Sequence, residues 1–200
     1  INNQTVYDMN ISHFLEDNRC KQIIVVTKEN EIDDIRTLVN DSRIEYVFGG
    51  KERQDSVYEG LQKVKENHVF IHDGARPFVT EAMLERGVFG VQETGACAIG
   101  MPSKDTIKIS DKEGFVQSTP DRSRVWSVQT PQIFAYSLIR SAHESLRRKD
   151  MTGVTDDAMV VEQESGVGIR LVEGSYQNIK ITTPEDLDIA ETFLKKYKKM

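Results

Sequence analysis

Short β-rich runs alternate with helix-period segments along almost the whole chain, and this alternation limits the fold more than any other feature. The run at 22–27 is apolar and β-branched, the pattern of a parallel strand covered on both faces. Further runs at 44–48, 68–72, 96–101, 125–128 and 168–172 also read as strands. Between them, residues 5–15, 29–39, 80–93, 135–148 and 156–164 read as helices, as does the segment carrying Val57, Leu61 and Val64 on one face. The final helix has the clearest start: Thr183 as N-cap, Pro184 in the first turn, and Glu185 and Asp186 at the positive helix end. Leu187, Ala190 and Leu194 are its expected buried stripe. Strands and helices in this order predict a three-layer α/β fold with a mostly parallel sheet, in a single domain spanning residues 1–200.

The rhythm breaks between Pro102 and Arg124. Residues 106–110 and 115–119 read as two strands joined by a turn at 111–114, which defines a protruding β-arm over about 103–124. A two-stranded arm is marginal alone, so it is expected to pack on another subunit; a mobile surface loop is the alternative.

Composition removes several classes of function. A net charge of −6 argues against a nucleic-acid or anionic-membrane binder. Apolar runs such as 23–26 and 96–99 are far too short to cross a bilayer. Cys20 and Cys97 stand far apart, with neither metal-ligand spacing nor a disulfide framework, which fits a reducing cytoplasm. The chain opens at Ile1 with no initiator Met, so a preceding segment is expected.

In α/β sheets, ligands gather beyond the carboxyl ends of the strands. The second strand is followed by Gly49-Gly50-Lys51-Glu52-Arg53-Gln54-Asp55-Ser56, where paired glycines let backbone approach a ligand and a helix start offers its amides. The third is followed by His72-Asp73-Gly74-Ala75-Arg76-Pro77. Asp73 is suited to a divalent cation such as Mg²⁺, and Arg76 either pairs with phosphate or structures the loop. His72 reads as structural. Lys180 lies in a strand-like stretch before the last helix and should reach solvent or an anion. Gln129-Thr130-Pro131-Gln132 reads as a turn and Thr155-Asp156-Asp157 as a helix start. No nucleophile elbow, zincin motif or Walker loop is present. Phosphoryl or nucleotidyl transfer needs none of them: a phosphate monoester is already a nucleophile, to be aligned and charge-neutralised.

Six ordered blocks carry a family resemblance. They are GGKERQDSVYEGL at 49–61, HDGARPF at 72–78, DTIK at 105–108, DRSRVWSVQTPQIF at 121–134, TDDA at 155–158 and EGSYQNIKITTPEDLDIAE at 173–191. Together they resemble the 2-C-methyl-D-erythritol 4-phosphate cytidylyltransferases of the non-mevalonate isoprenoid pathway. The resemblance implies a Rossmann-like nucleotidyltransferase fold, CTP and Mg²⁺ as cosubstrate and cofactor, and a homodimer joined through the β-arms. It implies CMP transfer from CTP to the methylerythritol phosphate. Ribitol-5-phosphate cytidylyltransferase is the sister alternative, and a non-catalytic dimerising or ligand-binding role is the alternative of another class. On this resemblance Gly49, Gly50, Lys51 and Ser56 lie near cytosine and ribose, with Asp often found in relatives at the place of Lys51. Asp73, Gly74 and Arg76 form the phosphate-side loop, with Asp73 as metal ligand. Thr106 and Arg122 reach a partner's sugar phosphate, while Thr130, Thr155 and Lys180 take other substrate-side positions. Lys180, Asp73 and Arg122 are the implied catalytic set. Relatives also open with a strand and a glycine-rich loop, which are expected to precede Ile1-Asn2-Asn3-Gln4.

Overall fold

A computed structural model describes residues 4–149 and 153–197, so Ile1-Asn2-Asn3 lies outside the described residues. Its elements alternate as expected: α1 (Val6–Glu16), β1 (Ile23–Thr27), α2 (Ile32–Leu38), β2 (Ile44–Phe48), α3 (Arg53–Leu61), β3 (His68–Ile71), α4 (Glu81–Thr94) and β4 (Ala96–Pro102). They continue with β5 (Ile109–Ser110), β6 (Val116–Ser118), β7 (Trp126–Ala135), α5 (Tyr136–Leu146), α6 (Asp157–Ser165), β8 (Arg170–Glu173) and α7 (Pro184–Tyr197).

Local chemistry explains several boundaries. Thr5 and Asp8 form a reciprocal capping box at the start of α1. Thr80 caps α4 by accepting from the Met83 amide, and Asp156 caps α6 by accepting from the Met159 amide. At α7, where Thr183 is the expected cap, the hydrogen bonds run instead to a carboxylate inside the helix. There Asp186 Oδ2 accepts from the amides of Thr182 and Thr183, both at 2.9 Å.

The main sheet has the order β3-β7-β4-β8. β4 and β8 are parallel, but β7 runs antiparallel to both β3 and β4. The expected mostly parallel sheet is therefore corrected to a mixed one. The cause lies in the segment after β4: the chain leaves at Pro102 and returns at Trp126, and these two residues are paired across the ladder. An antiparallel return needs no crossover helix. β1 and β2 form a separate parallel pair, with Ile23 opposite Ile44 and Thr27 opposite Phe48. The 22–27 run, expected to be covered on both faces, is half-buried along its length.

Two further corrections concern boundaries. Residues 129–132, read as a turn, lie inside the ten-residue strand β7, where the Thr130–Pro131 bond is cis. The β4–β7 register shifts between Ala98 and Gly100, and such irregularities are where strands accept proline. In the β-arm, pairing is confined to β5 and β6, both exposed, and the turn is held by Asp111 Oδ1, which accepts from the amides of Glu113 and Phe115.

The core follows the period of two along β4. Ala96 and Ala98 face Phe134, Ile139, Val160 and Val161 on the α5–α6 side, while Cys97 and Ile99 face Met83, Val91 and Ile133 on the α4 side. Helices thus cover both faces of this sheet. α4 approaches closely because Gly87 and Gly90 lack side chains: an added Cβ would stand 2.7 Å from Ile133 Cδ1 and 2.9 Å from Cys97 Sγ. α7 packs Ala190, Phe193 and Leu194 on Met9 and Phe78. Leu187, expected in that stripe, is 41% exposed instead, because the buried seam runs through Ala190 and Phe193.

Phe134 is fully buried at the centre of the α5–α6 side. Phe134→Ala should lower the unfolding free energy by about 3–5 kcal/mol through lost burial and a residual cavity. Urea denaturation reads this directly, and a loss under about 1 kcal/mol would contradict the assigned packing.

Candidate active site

β3 ends at Ile71, and the next two residues begin the site. His72 is half-buried among polar partners whose roles can be worked out. The Asp73 amide donates to Thr130 Oγ1 at 3.0 Å, so the Thr130 hydroxyl proton is free to go to His72 Nδ1, also at 3.0 Å. The imidazole proton then sits on Nε2, which faces the Arg76 carbonyl at 3.0 Å and Asn10 Oδ1 at 2.9 Å. The Asn10 amide nitrogen donates to the Gly74 carbonyl at 2.6 Å, tying the loop to α1. Phe14 covers the imidazole edge-on. His72 is thus structural, as the sequence predicts.

Asp73 projects from this fixed loop into a cavity of about 200 Å³. Its Oδ2 lies 3.1 Å from Lys180 Nζ and 3.4 Å from Arg76 Nε. Burial opposes ionisation of Asp73, but the Lys180 hydrogen bond and the charges of Lys180, Arg76 and Arg53 outweigh it and hold its pKa below the usual carboxylate value. Arg76 also donates to the Asn178 carbonyl at 2.8 Å, and the Ile181 amide donates to the Ala75 carbonyl. Arg76 therefore structures the loop and fixes the strand-like segment that carries Lys180. Asn178 is fully buried, with its side-chain amide donating to the Thr130 carbonyl.

The structure brings Asp73, Arg76, Thr130, Thr155 and Lys180 together around this cavity. Arg53, Gln129, Gln132 and Asp156 also line it, and sequence reasoning did not single them out. Gln132 Nε2 donates to Asp156 at 2.8 Å while its Oε1 accepts from the Ala158 amide, which anchors the α6 start to β7. Arg53 had one usable signal, its place at a helix start just past Gly49-Gly50.

Other predicted residues stand outside this cavity. Gly49, Gly50 and Lys51 are exposed beyond β2. Ser56 Oγ accepts from the Gly50 amide and donates to the Glu52 carbonyl, both at 3.1 Å. A Cβ on Gly50 would come within 2.3 Å of Asp55 Cβ, so that turn admits no side chain. Gly74 is exposed on the loop between Asp73 and Arg76. Thr106 and Arg122 are exposed in the arm region, with Arg122 donating to the Lys104 carbonyl at 3.1 Å. A larger groove of about 460 Å³ between α4 and β8 contains none of the predicted residues. Its arginines are engaged locally, Arg86 with the Glu173 carbonyl and Arg170 with Glu93.

Among the described residues no group of three or more His, Cys, Asp or Glu side chains could hold a metal ion by itself. Asp73 remains a fitting single ligand for Mg²⁺, which commonly takes one or two carboxylates and completes its shell with water and substrate phosphates. Among the described residues, no helix is long and apolar enough to cross a membrane.

A cavity at strand ends, lined by Arg53, Arg76 and Lys180 together with the carboxylates of Asp73 and Asp156, marks the candidate site of this α/β domain. Known proteins resemble this chain in sequence. The sequence model of the family IspD, 2-C-methyl-D-erythritol 4-phosphate cytidylyltransferase, matches residues 1–196. A relative of that name from Bacillus velezensis is 48% identical over 88% of this chain and 77% of its own. One from Clostridium botulinum is 45% identical over 98% and 87%. The crystal structure of 4-diphosphocytidyl-2C-methyl-D-erythritol synthase from Anaerococcus prevotii superposes with a TM-score of 0.92 at 32% identity, covering 98% of this chain and 88% of that one. The Thermus thermophilus cytidylyltransferase superposes at 0.80, with 30% identity over 96% and 90%. This chain belongs to the 2-C-methyl-D-erythritol 4-phosphate cytidylyltransferase family.

Burial pushes the His72 pKa down to about 4, which gives the site an acid limit. The folded-state value lies below the unfolded one, so the contribution is complete above pH 6.5 and lost as pH falls toward 4. Unfolding free energy should drop by on the order of 3 kcal/mol over that interval, with about one proton taken up on unfolding. Denaturation across the pH series, with acidic side chains accounted for by a His72→Gln reference, checks it. Identical pH slopes in the two proteins would rule it out.

Proposed function

We propose that this protein transfers CMP from CTP to 2-C-methyl-D-erythritol 4-phosphate. An oxygen of the sugar phosphate attacks the α-phosphorus of CTP, a new P–O bond forms, and the α–β anhydride bond breaks. Pyrophosphate leaves, and the product is 4-diphosphocytidyl-2-C-methyl-D-erythritol. The observation that carries this reading is the convergence of Asp73, Arg76 and Lys180 at one cavity in a chain of this family.

The arrangement supports a division of labour. A cavity of about 200 Å³ is smaller than usual ligand pockets and suits phosphate groups rather than a whole nucleotide. The exposed Gly49-Gly50-Lys51 turn and Ser56 are then assigned to the nucleoside, and Gly74 and Arg76 to the phosphate side. Thr130 and Thr155 face substrate on the cavity wall. Lys180 gives up its contact with Asp73 to neutralise charge growing on the transferred phosphate, which is the electrostatic share of catalysis. Asp73, already held ionised, would bind Mg²⁺, whose role when present is to neutralise phosphate charge.

The arm exposes Ile109, Phe115 and Val116, Phe115 at 73%, and these apolar side chains support a homodimer in which the arms embrace. Thr106 and Arg122 at the arm base would then serve the partner's sugar phosphate. A Rossmann-like nucleotidyltransferase architecture working in the cytoplasm completes the proposal.

Incubation with CTP, Mg²⁺ and candidate acceptors, with pyrophosphate release as the signal, tests the reaction. Turnover with ribitol 5-phosphate but not with the methylerythritol phosphate would assign the sister activity. No turnover with either would leave a binding role. Lys180→Ala should lower kcat by about 10²–10³-fold, the usual effect of removing one stabilising contact, with an unchanged melting temperature. An unchanged kcat would remove Lys180 from the mechanism.

A further inference from the structure

Arg53 lines the cavity, yet its ionic partner stands behind it rather than in it. Its Nη2 donates to Asp157 Oδ2 at 2.7 Å, where the Asp157 side chain is 1% exposed. The other oxygen of Asp157 lies 3.1 Å from Nε2 of His143, which is equally buried. One carboxylate therefore joins an imidazole on α5 to a guanidinium at the start of α3. Burial works against the charge on Arg53, and the charge and hydrogen bond of Asp157 more than offset it, so its pKa is raised.

The opposite side of the guanidinium is not satisfied. Arg53 Nη1 is buried and has no hydrogen-bond partner. Buried donors are almost always paired, because an unpaired one gives up its hydration without compensation. Neighbouring acidic groups are already engaged: Asp156 accepts from Gln132 and from the Met159 amide, and Asp73 is paired with Lys180 and Arg76. A planar fork can be gripped on one nitrogen and still present another, which an ammonium cannot do with a fixed direction.

We propose that Arg53 is an anion-binding residue of the cavity, its Nη1 donating to a phosphate oxygen of the bound substrate. His143 is its positioning residue and acts through Asp157. The transfer reaction proposed above supplies only the identity of the anion. The contact itself rests on an unpaired, buried donor of a residue that lines the cavity.

Isothermal titration with inorganic pyrophosphate tests this without requiring turnover. Arg53→Gln should weaken pyrophosphate binding at least tenfold while circular dichroism stays native. Arg53→Lys, which keeps the charge but not the fork, should recover only part of the loss. His143→Leu should weaken binding threefold or more, and His143→Gln, whose amide can still donate to Asp157, should restore it. His143→Asn, polar but too short to reach, replaces the Leu variant if that chain does not fold. Failure of the native protein to bind pyrophosphate, or a folded Arg53→Gln variant that binds within twofold of it, would overturn the assignment. Equal affinity in the Leu, Gln and native proteins would overturn the His143 part. Arg53-dependent binding in a protein that transfers no CMP would sink the reaction and leave this inference standing; turnover with Arg53-independent binding would do the reverse.

Discussion

A single hydroxyl group holds the loop from His72 to Arg76 in register with the sheet. Thr130 on β7 accepts from the Asp73 amide and donates to His72, so the end of β3 and the middle of β7 are joined by one oxygen atom. This works only while His72 is neutral, since Nδ1 must accept. Burial against Phe14 and α1 keeps it neutral. The Nε2 proton then holds the Arg76 carbonyl, and Arg76 in turn holds the Asn178 carbonyl. Lys180 and Asp73 meet because each hangs from this same set of contacts.

The charge pattern follows from that scaffold. Asp73 is an acid surrounded by cations, and its ionisation is maintained against burial by those neighbours. Its carboxylate is thereby ready for a cation without prior loss of a proton. Lys180 is nearly half exposed, with its side chain at 46%, so it can exchange partners at little desolvation cost. Asp157 is almost fully buried and serves in the opposite sense, fixing Arg53 from behind. Mobile and fixed charges are thus sorted by depth.

What could be read from the sequence depended on how local its cause was. The strand and helix rhythm was legible because period and capping are local, as at Thr5 and Thr80. Asp73 was legible as a ligand-side residue, since strand ends in α/β sheets collect ligand-binding residues, and Lys180 as a lysine that should reach solvent or an anion. Thr130 and Thr155 joined them only through the family resemblance. Arg53 was not legible, because its meaning depends on Asp157, far away in the chain and brought close only by packing of α3 beside α5 and α6. Gln129-Thr130-Pro131-Gln132 has the composition of a turn, and only the neighbouring β4 ladder makes it strand. Leu187 fits a helical stripe, but the choice of Ala190 and Phe193 as the seam depends on where Phe78 lies.

The reversal at β7 has a consequence for how such a protein can change. Because Pro102 and Trp126 are neighbours on the ladder, the intervening segment leaves the sheet and re-enters it at the same point. Its length and sequence can vary without moving β4, β7 or the residues fixed to them. The arm is in effect a replaceable attachment on a chassis that closes without it. Changes can accumulate there while the cavity around Asp73 and Lys180 keeps its geometry.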